Sequence, residues 1–346
     1  MSLYFSTFIS GFSELVSESL QKLLPDFEQS SLIDGLIIYR TSAQPNEVAR
    51  LRFLNNTFLL SGITQVSNTS GSTTLAEAAK VLISDLHLVH PTFPKSEQKT
   101  FRIVFSDENH LVSIERNIHK KLEEKIAKTL KMIVDRAKPD WEYWFLKRRE
   151  GFVLFGLRLT RHPDYKDVLQ KGELRPELAN LLCLLSEPDK DDVFLDPFSG
   201  SGSIPRERTK FPYKKIISGD IKPALIKKTK GIEITKLDAL YTNLPSSSIN
   251  KVVTDPPWGV EVGKELDLPD FYSKMLKEFS RIMKPHGIVV ILMGKKEIFE
   301  EILQQFPQFS LLKKYDILVS GKKAGVYKLV LLYSYPIFQT QNFGQG

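Results

Sequence analysis

A single cysteine, Cys183, in a chain of 346 residues removes two possibilities at the outset. One thiol can close no internal disulfide and build no cysteine-ligated zinc site. Its flanks, Leu181-Leu182 and Leu184-Leu185, make it a core residue. Long apolar runs are missing as well: the longest, Ile288 to Met293, falls far short of a membrane span. The start, Met1-Ser2-Leu3-Tyr4-Phe5, lacks a basic region, and Glu14 and Glu18 interrupt the next stretch, so no signal peptide is expected. His87, His90, His110 and His119 show no ligand spacing, and no metal site is expected. No Gly-x-Gly-x-x-Gly follows a strand and no Gly-Lys-Ser/Thr closes a phosphate loop, which excludes the dehydrogenase and P-loop fingerprints. With 42% hydrophobic and 26% charged residues, the chain reads as a globular, cytoplasmic protein long enough for two or three domains.

Positive charge is present in excess, +7 overall, and it is unevenly placed. Residues 116–149 carry eleven Lys/Arg against five Asp/Glu, and residues 206–230 carry nine against two. Clustering of this kind suits a phosphate-rich partner, although either cluster alone is equally a solvated helix face.

In the amino-terminal half, Tyr4 to Ile9 and Gly35 to Arg40 read as strands, and Thr57 to Leu60 as a third. Helical stripes fall between them, Phe12 to Leu24 and Val48, Leu51, Leu54. This β-α-β-α-β order suggests a small α+β unit of ferredoxin-like type over 1–70, bounded by a polar loop at Ser67–Thr74. A helix near Leu75 to Leu88, a strand at Phe101 to Phe105 and a long amphipathic helix from Ser113 to Ala137 come next. Lys121, Lys125 and Lys128 lie outside the apolar stripe of that last helix. Two strands, Trp141 to Lys147 and Phe152 to Leu159, are joined by a hairpin at Arg148-Arg149-Glu150-Gly151.

The carboxy-terminal half repeats one device, an acid at the tip of a strand. Asp196 ends Val193-Phe194-Leu195 and leads into Pro197-Phe198-Ser199-Gly200-Ser201-Gly202, a glycine turn before a helix. Asp220 ends Ile216 to Gly219, and Asp238-Ala239 comes after Ile232 to Leu237. Asp255 closes Ile249 to Thr254 and opens Pro256-Pro257-Trp258-Gly259. Neither proline can donate to a ladder, so the strand must stop there, and a residue before proline is held extended. The result is a carboxylate, carbonyls and an indole on a stiff ledge at the carboxyl edge of a sheet, where ligands bind in open α/β folds. Helix 270–284, a strand from Gly287 to Met293, a further helix and two strands, 309–320 and 324–335, complete a seven-stranded sheet.

Asp196-Pro197 before Gly200-Ser201-Gly202 resembles motif I of class I S-adenosylmethionine methyltransferases, and the acids are in the order that such a domain requires. Gly200-Ser201-Gly202-Ser203-Ile204 with Glu207, and Leu174-Arg175-Pro176 with Leu178-Ala179, resemble the THUMP-associated RNA guanine-N2 methyltransferases. Residues 1–160 resemble the ferredoxin-like unit and THUMP domain of the same enzymes. The resemblance implies an α/β, Rossmann-like class I methyltransferase domain (177–338), preceded by an α+β ferredoxin-like/THUMP region (1–70 and 71–162) and a linker (163–176). It implies S-adenosylmethionine as cofactor, bound by Asp196, Pro197, Phe198, Gly200, Gly202, Asp220, Asp238 and Ala239. It implies tRNA as partner, held by Lys121, Lys125, Lys128, Arg148 and Arg149, with Asp255, Pro256, Pro257 and Trp258 catalytic. Neither a membrane nor DNA is expected as partner, and a small activator subunit stays open. Two departures stand out: Trp258 replaces the commoner Tyr, and only eighteen residues separate Asp220 from Asp238, which leaves one crossover helix too few.

The chemistry of such a ledge is amine methylation. An exocyclic base amine is a poor nucleophile, and acceptors for its hydrogens localise its lone pair, while an aromatic face holds the base. Alternatives from the same residues are an rRNA guanine, a DNA amino group, or a non-catalytic RNA-binding scaffold.

Overall fold

In the computed structural model, residues 1–66, 72–84, 99–160, 169, 173–223, 226, 228–260 and 263–333 are described. The Ser67–Thr74 loop, the end of the helix expected to reach Leu88, most of the 163–176 linker and the end of the last expected strand lie wholly or partly outside them. By its contacts the chain divides into two compact units: Met1–Phe8 with Ser13–Pro163, and Ile9–Phe12 with Asp164–Gly346.

The first unit begins β1 (Ser2–Thr7), α1 (Ser13–Leu23), β2 (Glu28–Ile33), β3 (Leu36–Thr41), α2 (Pro45–Val48) and β4 (Asn56–Gln65). All pairings are antiparallel in the order β2-β3-β1-β4, the ferredoxin-like split. The polar strand β2, Glu-Gln-Ser-Ser-Leu-Ile, is one that the apolar pattern does not announce. Conversely, the stripe Val48, Leu51, Leu54 forms only the single turn α2. The chain continues as α3 (Ser72–Ser84), β5 (Thr100–Asp107), β6 (His110–Val112), α4 (Arg116–Leu130), β7 (Ile133–Val134), β8 (Trp141–Arg148) and β9 (Phe152–Arg158). β4 pairs antiparallel with β9, Phe58 opposite Arg158, so strands from both sides of residue 70 share one nine-stranded sheet.

α4 is shorter than the expected span of Ser113 to Ala137. Lys131 takes a left-handed φ of 54°, and the Met132 N–H turns back to the Ala127 carbonyl, closing the helix. Ile133, which continues the apolar stripe in sequence, instead opens β7 beside Thr100.

The second unit runs α5 (Pro176–Leu185), β10 (Val193–Asp196), α6 (Ser203–Arg208), β11 (Lys215–Asp220), β12 (Ile232–Lys236), β13 (Ile249–Thr254), α7 (Leu268–Ile282), β14 (Met283–Met293), α8 (Lys296–Leu303), β15 (Phe309–Val319) and β16 (Lys322–Leu331). Its seven strands lie in the order β12-β11-β10-β13-β14-β16-β15, parallel except for β16, which is antiparallel to both neighbours. Chain order reverses between β10 and β13, so the switch point falls between the strands that end in Asp196 and Asp255.

Helices cover both faces. α7 is capped by the Asp267 carboxylate, which accepts from the Asp270 N–H at 3.2 Å. It buries Leu268, Phe271, Tyr272, Met275, Leu276, Phe279 and Ile282 at helical spacing. These pack on Leu195, Val252, Val289 and Ile291, alternate residues of the central strands. On α5, the buried Cys183 thiol donates to the Ile204 carbonyl at 3.6 Å. Among the described residues no helix links β11 to β12, or β12 to β13, in keeping with the short spacing read from the sequence.

Candidate active site

The parallel register brings the strand tips to one edge. Asp196 lies opposite Ser218 of β11, two residues before Asp220, and Asp220 lies opposite Lys236, two residues before Asp238. Thr254 lies opposite Ile291 of β14.

Asp196 is 1% exposed, and its Oδ1 accepts from the Thr254 hydroxyl at 2.7 Å and the Phe198 N–H at 3.2 Å. Burial pushes its carboxyl up to about 7; the Thr254 and Phe198 donors pull the other way, and the charge of Asp255 adds to the rise. The glycine turn takes left-handed backbone at Gly200 (φ 52°) and at Gly202 (φ 83°), which caps α6. Pro197 and Gly202 are buried, and Phe198 packs on Phe271 with centroids 5.7 Å apart. Arg206 braces the turn from behind, donating to the Ser201 carbonyl at 2.7 Å and to Glu173 at 2.6 Å.

Asp220 does more than end its strand. Its Oδ2 accepts from the Gly200 N–H at 2.9 Å and its Oδ1 from the Lys222 N–H at 2.8 Å, so it ties the glycine turn to β11. Each carboxylate oxygen can accept a second bond, which leaves capacity for a ligand hydroxyl. Asp238 is exposed and accepts from the Leu240 N–H at 2.9 Å, with Ala239 buried beside it.

The ledge is held from three sides. Asp255 Oδ1 accepts from the Trp258 indole N–H at 2.8 Å, and Pro256 is buried behind it. The Tyr272 hydroxyl, from the second turn of α7, donates to the Pro257 carbonyl at 3.1 Å. Gly259 turns at φ 70°, a left-handed backbone conformation that favours glycine. Burial pushes the Asp255 carboxyl up to about 7, opposed by the indole N–H, and it raises Tyr272 to about 12, with the charge of Asp255 contributing. Both raised carboxyls stand at one strand edge, beside the switch point of the sheet.

Thr254, Tyr272, Arg206 and Gly294, which seats the Trp258 ring, carry no motif signal and emerge only from the fold. Among the expected RNA-binding residues, Lys121, Lys125 and Lys128 are exposed at spacings of four and three along α4, and share one face. Arg149 is exposed. Arg148 is not: it is 8% exposed and donates to the Glu150 carboxylate at 3.2 Å and the Asp34 carbonyl at 3.3 Å, so it is committed to the hairpin.

A seven-stranded sheet in this order, with an acid and glycine turn after its first strand, is the fold of class I methyltransferase domains. Residues 163–224 and 215–322 match the UPF0020 family, the RMKL-like methyltransferase domain. A relative from Mus musculus, tRNA (guanine(6)-N(2))-methyltransferase THUMP3, is 31% identical over 153 residues, 38% of this chain but only 30% of that protein. The crystal structure of TrmN from Thermus thermophilus shares the fold at a TM-score of 0.70 and 20% identity, over 96% of this chain and 100% of that one. A putative methyltransferase complexed with SAH shares it at 0.63 and 14% identity, over 97% and 99%.

S-adenosylmethionine, the methyl donor of this class, fits the residues present. Among the described residues, chain neighbours aside, no atom lies within 4 Å of where a Gly200 Cβ would stand, so the turn faces open space there, and the Asp220 carboxylate beside it keeps acceptor capacity for a ligand hydroxyl.

Proposed function

We infer that this protein methylates the exocyclic N2 of a guanine in tRNA, in or beside the acceptor stem. The observation that carries the reading is the placement of Asp255. Its carboxylate stands at the switch point on a ledge braced by Tyr272, adjoining Asp196 and the glycine turn. The named activity of the mouse relative is the same chemistry.

When bound, S-adenosylmethionine supplies an electrophilic methyl group. The chain must present a nucleophile to it. Asp255 and the Pro256 carbonyl accept the two hydrogens of the amine, concentrating its lone pair on nitrogen, and Trp258 offers its ring to the base. Such contacts contribute roughly 1–3 kcal/mol per base by stacking. Preset acceptors need no reorganisation during the reaction, and they supply more of the acceleration than basicity does. The proton released from the amine passes to Asp255. A paired guanine must leave its stack to reach the ledge.

The first unit serves as the RNA grip. The Lys121, Lys125 and Lys128 face, with Arg149, meets phosphates rather than bases, and so binds by charge and shape. We place the reaction in the cytoplasm, with a small activator subunit as a possible partner and no role for DNA or a membrane. No helix among the described residues is long and apolar enough to cross a bilayer. The decisive experiment incubates the full chain with unmodified tRNA and labelled S-adenosylmethionine, then analyses nucleosides by mass spectrometry. N2-methylguanosine is the expected product; methylation of adenine or cytosine alone, or none, overturns the reading.

A further inference from the structure

Trp258 does something that a stacking surface alone would not. Its indole N–H donates to Asp255 Oδ1 at 2.8 Å, reaching back across Pro256 and Pro257. The ring occupies the place that a side chain at residue 294 would take: a Cβ on Gly294 would meet indole Cδ2 and Cε3 at 2.3 Å and Cγ at 2.7 Å. Gly294 directly follows β14, which runs parallel to β13 and delivers it to the edge where Asp255 stands. Backbone therefore seats the indole, and the seat aims its N–H. A carboxylate offers two oxygens, and this bond commits one of them.

We propose that Trp258 is a positioning residue for Asp255: seated on Gly294, its indole N–H fixes the orientation of the carboxylate and reserves Oδ2 for the hydrogen of the nucleophilic amine. This rests on the amine-methylation reading and adds a second role for the motif aromatic. A donor to the ionised form also favours that form. The N–H therefore works against the burial that keeps Asp255 protonated. Among the described residues, the titratable groups that face this carboxyl from neighbouring elements are Asp196 at the tip of β10 and Tyr272 of α7.

The test begins without substrate. The chain has three tryptophans, so indole-labelled protein gives three N–H resonances. The Trp258 resonance, identified by its loss in Trp258→Phe, should shift between pH 5 and 9 with a midpoint near 7, following Asp255. Trp144 donates to Glu142 at 3.0 Å and serves as control: although burial opposes it, Glu142 is held below the usual range by donors from Trp144, Arg102 and Arg158, so this resonance should stay still. In the kinetic arm, Trp258→Phe keeps an aromatic face and loses the N–H. The acid limb of its kcat–pH profile should move up by about one unit, with the KM for tRNA changed less than about threefold. Gly294→Ala, which unseats the ring while leaving the tryptophan in place, should move the limb the same way. A Trp258 resonance that ignores pH near 7, or a Trp258→Phe variant with the parental pH profile and only a raised KM, overturns the proposal. Failure of the guanine-N2 reading looks different: the parental chain yields no N2-methylguanosine, whatever the resonance does.

Discussion

Replacing Asp255 by Asn changes almost no volume but changes what the side chain can offer. In the native protein one carboxylate oxygen takes the Trp258 N–H at 2.8 Å. An amide has a single oxygen, and the seated indole N–H claims it, because the opposite rotamer would set N–H against NH2. The NH2 is then turned towards the substrate amine, donor against donor. A hydrogen bond to a charged acceptor contributes roughly 1.5–3 kcal/mol, and each 1.36 kcal/mol is about tenfold in rate. Loss of the acceptor alone therefore costs about ten- to a hundredfold, and the opposed donor adds to that. We expect kcat at pH 8 to fall at least about a hundredfold, with cofactor and tRNA affinity changed less than about fivefold. Neither the glycine turn nor the lysine face is touched by the substitution. The pH profile gives a second reading. With its carboxyl pushed up to about 7, the parental enzyme should gain rate as pH rises through 7 and the carboxylate forms, a limb that the Asn variant lacks. Single-turnover methylation of unmodified tRNA from pH 6 to 9, with calorimetric binding of the cofactor, measures both. A folded Asn variant that turns over at the parental rate would refute the assignment of Asp255.

The same geometry sets other outcomes. Asp196 and Asp255 keep their protons to about 7 when folded but lose them near 3.9 when unfolded, so between these values the unfolded chain binds fewer protons and stability falls as pH rises; denaturant unfolding at pH 5 and 8 should show a smaller fall for Asp255→Asn than for the parent. Tyr272→Phe removes the 3.1 Å brace on the Pro257 carbonyl, at a cost of about 0.5–1.5 kcal/mol of stability, and should lower kcat several-fold while leaving cofactor affinity intact by calorimetry. Gly202→Asp puts an anion at the buried start of α6 and should abolish S-adenosylmethionine binding in a chain that still unfolds cooperatively. Changing Lys121, Lys125 and Lys128 together to Gln should flatten the dependence of log tRNA affinity on log salt by about 2 to 3, as measured by filter binding across a salt series.

How much of this was legible in the sequence depended on how local each signal was. The four strand-end acids, the glycine turn and the Pro256-Pro257 ledge announce themselves because proline and glycine dictate backbone geometry wherever they stand. The residues that shape the proposed site are remote. Thr254 reaches Asp196 across 58 residues, Tyr272 reaches Pro257 across 15, and Gly294 meets Trp258 only through strand register. Arg148 and Arg149 look alike in a basic hairpin; what separates them is the Asp34 carbonyl, 114 residues away, which draws Arg148 inward. Strand β2 escaped notice because it pairs on one side only and most of its side chains face solvent, so no alternation was imposed on it.

The pairing of β4 with β9 also sets a timetable for synthesis. Until Phe152–Arg158 leaves the ribosome, β4 is hydrogen-bonded on one side only, by β1, and its other side, beside Phe58, Leu59 and Leu60, is an open template. At about 5–20 residues per second that wait lasts roughly 4–20 s, long on the scale of hairpin formation. A nascent chain of this protein therefore carries an unfinished, aggregation-prone seam for most of the time its first unit is being made. Slowing translation between residues 66 and 150 should raise its demand for chaperones without altering a single contact in the finished molecule.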